Sequence, residues 1–279
     1  MIPTTRNIKV FHGEVHYQAE GYAHIAADLG MGETPNWEAF AAGEQVAASL
    51  KTNCYRVTLP NGETVYVKRY VYTAKKKVRY WLLPSKPLIE IYGFQQLRKL
   101  GIPTLDVLAY GERRYLGSLR SAYIVTRGVP KSVSVEAFAR ETWSKMPKDE
   151  RQSVFLALRQ TLLTQLKTAH RAHFFHHDLK WRNILVHETD TGAYELTWID
   201  CPRAHYARLT HRHAVLVDFA GLARSGVEFL SVYSMFRFVR DYVGEEVKTH
   251  RAKRLVRAAW ENLSKRLPRN YKAAIGHDT

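Results

Sequence analysis

The sequence predicts an α+β fold of two lobes, a small β-rich N-lobe followed by a larger helical C-lobe. Three patterns carry the prediction. The β-type runs Cys54–Leu59 and Thr64–Tyr70 flank Pro60-Asn61-Gly62-Glu63, and Asn-Gly tolerates the positive φ of a tight hairpin turn. Further on, Phe155, Leu158, Leu162, Leu166 and Ala169 recur at three- and four-residue steps, which gives one apolar face on a long helix. A short second hairpin, Ile184–Val186 and Glu195–Ile199 across Thr189-Asp190-Thr191-Gly192, follows that helix.

The elements between these landmarks fall in order. A helix is expected over Leu88–Leu100, stopped by Gly101-Ile102-Pro103, because Gly accepts the left-handed cap conformation and Pro cannot continue a helix. Leu105–Tyr110 and Ser121–Thr126 read as another strand pair, with the hinge between lobes near Thr126–Val129. Residues 222–264 read as further helices. The chain then divides into 1–46, an acidic leader of open role, 47–127, the N-lobe, and 128–279, the C-lobe with basic C-terminal helices.

Composition narrows the class. The chain has 279 residues, 46% apolar and 12% aromatic, enough for a real core, so it is not disordered as a whole. Its apolar stretches are broken by charge before the roughly 18–20 residues of a membrane span. No long apolar segment follows a basic start at the N-terminus, which argues against a secretory signal. Two cysteines, Cys54 and Cys201, make neither a disulfide framework nor a four-ligand zinc site, so a reducing cytoplasm is expected.

Charge is unevenly placed. With 42 Lys+Arg and 26 Asp+Glu the net charge is +16, yet residues 1–47 hold six acidic and two basic side chains. Such a basic remainder attracts polyanions: nucleic acid, an anionic membrane or a phosphorylated substrate.

The chemistry concentrates in His176-His177-Asp178-Leu179-Lys180-Trp181-Arg182-Asn183. This resembles the kinase catalytic loop H-R-D-L-x-x-x-N, with His177 in place of Arg. At that spacing Asp178 can orient the proton of an attacking hydroxyl, and Asn183 can return across the loop to a metal ion. Lys180 is placed to neutralise charge on the transferred phosphoryl group. A kinase-like site also needs a strand Lys held by a helix Glu. Val65-Tyr66-Val67-Lys68 supplies the first, and Glu90, the lone acid between Glu63 and Asp106, supplies the second. For the second metal carboxylate, Asp200 and Asp218 compete. Asp200 ends the hairpin that returns from the catalytic loop and is preferred. Asp218 is expected to begin a helix and brace the loop by accepting backbone N–H bonds.

Two expected parts are missing. No G-x-G-x-x-G precedes Lys68; the corresponding turn is Ala47–Asn53, where Lys51 or Asn53 would assist backbone amides on phosphate. No A-P-E follows the loop, which weakens a protein-kinase reading.

Together these residues resemble the Kdo/WaaP family of lipopolysaccharide kinases, which have a protein-kinase-like fold. The likeness runs from about Ala47 to Ala223, through Tyr55-Arg56-Val57, Pro60-Asn61-Gly62, Lys68, Glu90, Gly101-Ile102-Pro103-Thr104, Ala109-Tyr110-Gly111, the catalytic loop, Ile199-Asp200-Cys201-Pro202-Arg203 and Asp218-Phe219-Ala220. The resemblance implies transfer of the ATP γ-phosphate to a heptose or Kdo hydroxyl of the lipopolysaccharide inner core. It implies Lys68 and Glu90 on ATP, Asp178 as base, and Asn183 and Asp200 on Mg2+. Asn53 and Thr126 complete the candidate nucleotide contacts.

Residues 201–217 hold Arg203, Arg208, Arg212 and three histidines with no acid, a candidate acceptor surface because Arg suits phosphate and carboxylate. The alternatives there are a solvated basic loop, or a zinc site from His211 and His213 with His205 or Cys201. The tail at 248–272 carries nine Lys/Arg against Glu261, and fits either an interfacial helix on anionic lipid or a helix packed on its lobe. An anionic glycolipid at a membrane surface explains these patches better than nucleic acid does. The alternatives are a protein kinase or aminoglycoside-type phosphotransferase, and a non-catalytic nucleotide- or polyanion-binding regulator.

Overall fold

The computed structural model describes residues 2–31, 36–48, 52–72 and 79–244. The basic tail at 248–272, Lys51 and the lysines at 75–77 lie outside the described residues. Two compact units form, one drawn from 1–96 and 104–130, the other from 97–103 and 131–279. The mixed α+β architecture, with a β-rich N-terminal sheet and a helical C-terminal part, is the one the sequence predicts.

The first unit is built on a six-stranded antiparallel sheet. Its strands are β1 (Gly13–Gln18), β2 (Glu44–Ala48), β3 (Thr52–Thr58), β4 (Thr64–Val71), β5 (Val107–Tyr115) and β6 (Ser118–Arg127), in the order β1-β5-β6-β4-β3-β2. The β3–β4 hairpin turns through Pro60-Asn61-Gly62 as its sequence requires. The β5–β6 hairpin is longer than the sequence suggests. It turns at Leu116-Gly117, both at positive φ (44° and 78°), and a Leu in that conformation carries no turn signal.

Register explains which face does what. Tyr55, Val67, Val125 and Ala109 are cross-strand partners on one face, since successive side chains alternate across a strand. The acidic leader covers that face. Helix α1 (Tyr22–Asp28) buries Tyr22, Ile25 and Ala26, and Trp37 and Phe40 join the same core. The fully buried Trp37 ring lies 5.0 Å from that of Tyr123. Leader carboxylates pair with sheet cations, Glu14 and Glu38 with Arg113 at 2.5 and 2.8 Å, and Glu44 with Arg56. The segment set apart by its charge is therefore part of the unit's core, and its charge is used inside the unit.

The other face carries Cys54, Lys68, Ile124 and Tyr110 in register. Helix α2 (Lys86–Lys99) buries Leu88, Ile91 and Phe94 and presents Glu90 to this face. Its C-terminus stops at Gly101, which takes φ 71°.

In the second unit, β7 (Val133–Ser134) leads into α3 (Val135–Glu141), and α4 (Lys148–Arg171) buries Leu163, Leu166 and Ala169. Phe155, Leu158 and Leu162, on the predicted apolar stripe, line a cavity within this unit. Strand β8 (Phe174–Phe175) pairs with β11 (His205–Tyr206), while β9 (Ile184–Glu188) pairs with both β10 (Tyr194–Trp198) and β7. Gln165 of α4 pins the hairpin, donating to the Leu196 carbonyl and accepting from the Trp198 indole, each at 2.8 Å. Helices α5 (His211–Gly226) and α6 (Val232–Val243) close the described chain. Asp218 lies inside α5 and not at a helix start. The helix begins at His211, with Ala214 and Val215 buried behind a basic first turn that carries no start signal in the sequence. Among the described residues no helix is long and apolar enough to cross a membrane.

Replacing Trp37 tests the role of the leader. Trp37→Ala is expected to destabilise the protein by roughly 3–5 kcal/mol through the cavity left against Tyr123, read as a lower urea midpoint by circular dichroism. A change within error would mean that the leader does not complete this core.

Candidate functional site

In the first unit, Lys68 sits on β4, between β3 and β6 in the sheet interior. Its ammonium donates to both Glu90 oxygens, at 3.1 and 3.3 Å, and the Tyr70 hydroxyl donates to Glu90 at 2.5 Å. Glu90 is buried while Lys68 is 22% exposed, so the pair shields the carboxylate and leaves the cation in reach of a ligand. Thr126 is the register partner of Tyr66, on the same sheet face as Lys68. Asn53 is not brought to that face. It pairs with Arg69, one residue out of phase with Lys68, and its side-chain amide lies 3.3 Å from that of Gln45. Its turn position alone gave no indication of which way the pleat would aim it.

In the second unit, the catalytic-loop motif leaves β8 and enters β9. Lys180 lies 2.5 Å from one Asp178 oxygen. Asn183 Nδ2 donates to the Asp178 carbonyl at 2.8 Å and sits 3.4 Å from its carboxylate. That leaves the amide oxygen of Asn183 as the group able to meet a cation. The Ile199 N–H donates to the Asn183 carbonyl at 2.9 Å, which sets Asp200 just past the end of β10 and beside Asn183 in the chain path. His176 is fully buried, its Nδ1 accepting from the Asp178 N–H at 3.3 Å. Its Nε2 meets the Ile199 carbonyl at 3.0 Å and must therefore be the protonated nitrogen. One ring thus ties Asp178 to the residue before Asp200.

Helix α5 clamps this loop along a single face. Asp218 accepts from the His176 and His177 N–H groups at 3.1 and 2.7 Å, and from His170 Nε2 at 3.2 Å. Gly221 lets the helix approach, since a Cβ there would stand 2.3 Å from the Leu179 carbonyl oxygen. Ser225 Oγ accepts from the Trp181 N–H at 3.0 Å. Residues 218, 221 and 225 share a helix face. Gly221 and Ser225 escaped the sequence reading, although small and polar residues at that spacing on an otherwise apolar helix were the available signal.

The fully buried Asp218 is ionised. Burial alone pushes its carboxyl pKa up, but the hydrogen bond and charge of His170 outweigh this and hold it below the ordinary value. His177, in the place of the kinase Arg, behaves in the opposite way. Burial first, and then His205, His176 and His213, push its pKa from 6.5 to about 4 against the pull of Asp218. Its neutral ring stacks on His205 at 4.1 Å and 6°.

Arg203, Arg208 and Arg212 are all exposed, two in the segment after Asp200 and the third in the first turn of α5. Their histidine neighbours go separate ways, His205 to His177 and His211 to His173 at 3.0 Å. Among the described residues no group of three or more His, Cys, Asp or Glu is arranged to hold a metal ion. Asn183 and Asp200 supply two hard oxygen donors, a set that fits Mg2+ completed by phosphate and water oxygens.

The model of the lipopolysaccharide kinase (Kdo/WaaP) family matches residues 42–265. The chain is 25% identical over 231 residues to the lipopolysaccharide core heptose(I) kinase WaaP of Escherichia coli, covering 80% of this chain and 86% of that one. To the protein of the same name from Pseudomonas aeruginosa it is 27% identical over 157 residues, 55% of this chain and 58% of the other. Among solved structures, a WaaP in complex with acyl carrier protein matches with a TM-score of 0.61 at 20% identity, covering 89% of this chain and 99% of that one. Its kinase-like fold is the fold of this chain.

The His177 environment makes stability pH-dependent. A His with a depressed folded pKa takes up its proton more readily when unfolded, so its contribution is full above pH 6.5 and lost as pH falls from 6.5 to about 4. His177→Phe keeps a ring for the stack and removes the titration. Its urea midpoint is expected to vary less across that window than the wild-type midpoint, and equal slopes would exclude His177 as the source.

Proposed function

Because the chain belongs to the lipopolysaccharide kinase (Kdo/WaaP) family, we propose that its acceptor is a heptose or Kdo hydroxyl of the lipopolysaccharide inner core. The chain is a kinase with ATP as phosphoryl donor. The observation that carries the reading is the catalytic loop, in which Asp178, Lys180 and Asn183 are linked to one another and fixed from behind by Asp218.

In this reading Asp178 orients the sugar hydroxyl and accepts its proton as the oxygen attacks the γ-phosphorus. Lys180 moves from Asp178 toward the transferring phosphoryl oxygens, where positive charge is needed in the transition state. Lys68, aimed by Glu90, grips the α- and β-phosphates, with Thr126 a further nucleotide contact; Asn53 is left out of the set. Asn183 and Asp200 would hold Mg2+, whose chemistry there is to neutralise charge on the phosphates. Arg203, Arg208 and Arg212 receive the anionic groups of the acceptor. The first unit is the N-lobe and the second the C-lobe of the kinase fold. An acceptor built on a lipid puts the chain at the cytoplasmic face of the inner membrane as a peripheral protein.

A second partner reading rests on a separate feature. The cavity in the second unit is walled by Phe138, Leu158, Leu162, Phe219 and Phe238, with Arg159 as the charged residue in its lining. Such a lining suits an acyl chain, and the solved relative is bound to acyl carrier protein. We read the cavity as a seat for an acyl chain delivered by such a carrier. Native mass spectrometry is expected to show a complex with acylated carrier that is lost on Leu162→Glu; binding unchanged by that substitution would remove the reading.

Kinetics test the catalytic roles. Asp178→Ala should lower kcat by about 10²–10⁴-fold while ATP still binds in titration calorimetry. Asp200→Ala should abolish Mg2+-dependent turnover in samples whose folded content matches wild type. Asp218→Ala should instead lower the folded content and act on catalysis through the loop. Substantial turnover by Asp178→Ala would remove the base, and unchanged core phosphorylation in cells lacking the protein, by mass spectrometry of core oligosaccharide, would remove the acceptor.

A further inference from the structure

We infer that the β5–β6 turn end of the strand-rich unit is a docking surface for an anionic lipid bilayer. The inference rests on the membrane-surface placement proposed above and assigns it to particular residues. Phe11, Trp81, Leu82, Leu83, Tyr115 and Leu116 are all exposed, Leu82 most of all at 67%. They come from three separate parts of the chain and form one patch. The Trp81 indole donates to the Leu116 carbonyl at 2.5 Å, and the Gly117 N–H donates to the Phe11 carbonyl at 2.6 Å. A Cβ on Gly117 would stand 2.7 Å from the Trp81 ring and 2.8 Å from that of Phe11, so both rings lie directly on the turn.

The patch is held firmly. Arg114, fully buried, pairs with buried Glu112 at 2.7 Å and donates to the carbonyls of Tyr80 and Gly117 at 2.8 Å and of Leu83 at 3.0 Å. A desolvated guanidinium with these acceptors fixes the backbone on either side of Trp81 and Leu82 while their side chains stay in solvent. Loose packing of a mobile loop therefore does not account for the exposure. Large apolar surface displayed on a rigid backbone marks an interaction site.

Charge selects the partner. The stretch that leads to and follows Trp81, residues 72–86, contains five Lys/Arg and no acid. Arg79 is exposed beside Trp81, and the Arg120 guanidinium lies 5.4 Å over the Tyr115 ring. Leu and Phe for the acyl boundary, Trp and Tyr at headgroup level and cations beside them form the composition of an interfacial anchor on anionic lipid.

Flotation of the full chain with phosphatidylglycerol-rich vesicles, against phosphatidylcholine vesicles, tests this. Wild type should prefer the anionic vesicles. Leu82→Glu should lower partition by about tenfold or more, with unchanged thermal melting and ATP turnover on a soluble acceptor. A variant with Lys253 and Arg254 changed to Gln, in the tail, should keep the binding. No preference for anionic vesicles, or equal partition of Leu82→Glu and wild type, would overturn the inference. So would a mass change on light scattering between wild type and Leu82→Glu without vesicle binding, which would assign the patch to a protein contact. Each of these results leaves turnover in solution, and with it the kinase reading, to be judged separately.

Discussion

The buried carboxylate of Asp218 is the constraint on which the conformation of the loop from His176 to Asn183 depends. The loop from His176 to Asn183 must hold Asp178 outward, and His177 takes a left-handed φ of 59° to do so. A non-glycine residue there is strained, and the strain persists because Asp218 captures two successive N–H groups at the bend. Those are charge-assisted bonds in a dry environment, stronger than neutral ones. The carboxylate is kept charged by His170, which in turn meets the Tyr242 hydroxyl at 2.8 Å. A chain of contacts from α6 through α4 and α5 therefore ends at the backbone of the catalytic loop.

The first unit solves a different problem. A sheet that offers Lys68 and Glu90 on one face must bury the apolar residues on the other, and the leader performs that burial. Its composition follows from its position. The sheet presents Arg113 at the rim of that face, where Glu14 and Glu38 meet it, and Glu44 pairs with Arg56 on the neighbouring strand. Exposed pairs of this kind contribute little individually. The stabilisation comes from Trp37, Phe40 and α1, and the acids keep a strongly basic unit from repelling its own cover.

Legibility followed the range of the signal. The Pro60–Glu63 turn, the Gly101 stop and the catalytic loop are local in sequence, and each was readable because its chemistry is complete within a few residues. Lys68 with Glu90 was readable over 22 residues because no other acid competed. What escaped was set by tertiary partners. Strand β1 has no turn or period to mark it until β5 is beside it, and Leu116 gives no hint of a positive φ. Asn53 was placed by its loop, whereas the pleat decided its face. Gly221 and Ser225 matter only once the loop lies against α5. Asp218 was readable as a brace, since a buried acid near such a loop has backbone amides to satisfy, but its place within a helix was not.

The substitution of His177 for Arg changes what ties the loop to the segment after Asp200. An Arg at this position would bring a permanent charge that needs an anionic partner. His177 is neutral, being pushed to about 4 by its burial, and can stack flat on His205 without counter-charge. His205 is itself held in register by pairing with Phe175, two residues before His177. The contact closes a short circuit in the chain: β8 leads to His177, whose ring rests on β11, which pairs back to β8. The segment after Asp200 is thus tied to β8 by this chain's own rings and backbone. With His177 neutral, the fixed positive charge of the segment between Asp200 and Asp218 rests on Arg203, Arg208 and Arg212, all of them exposed.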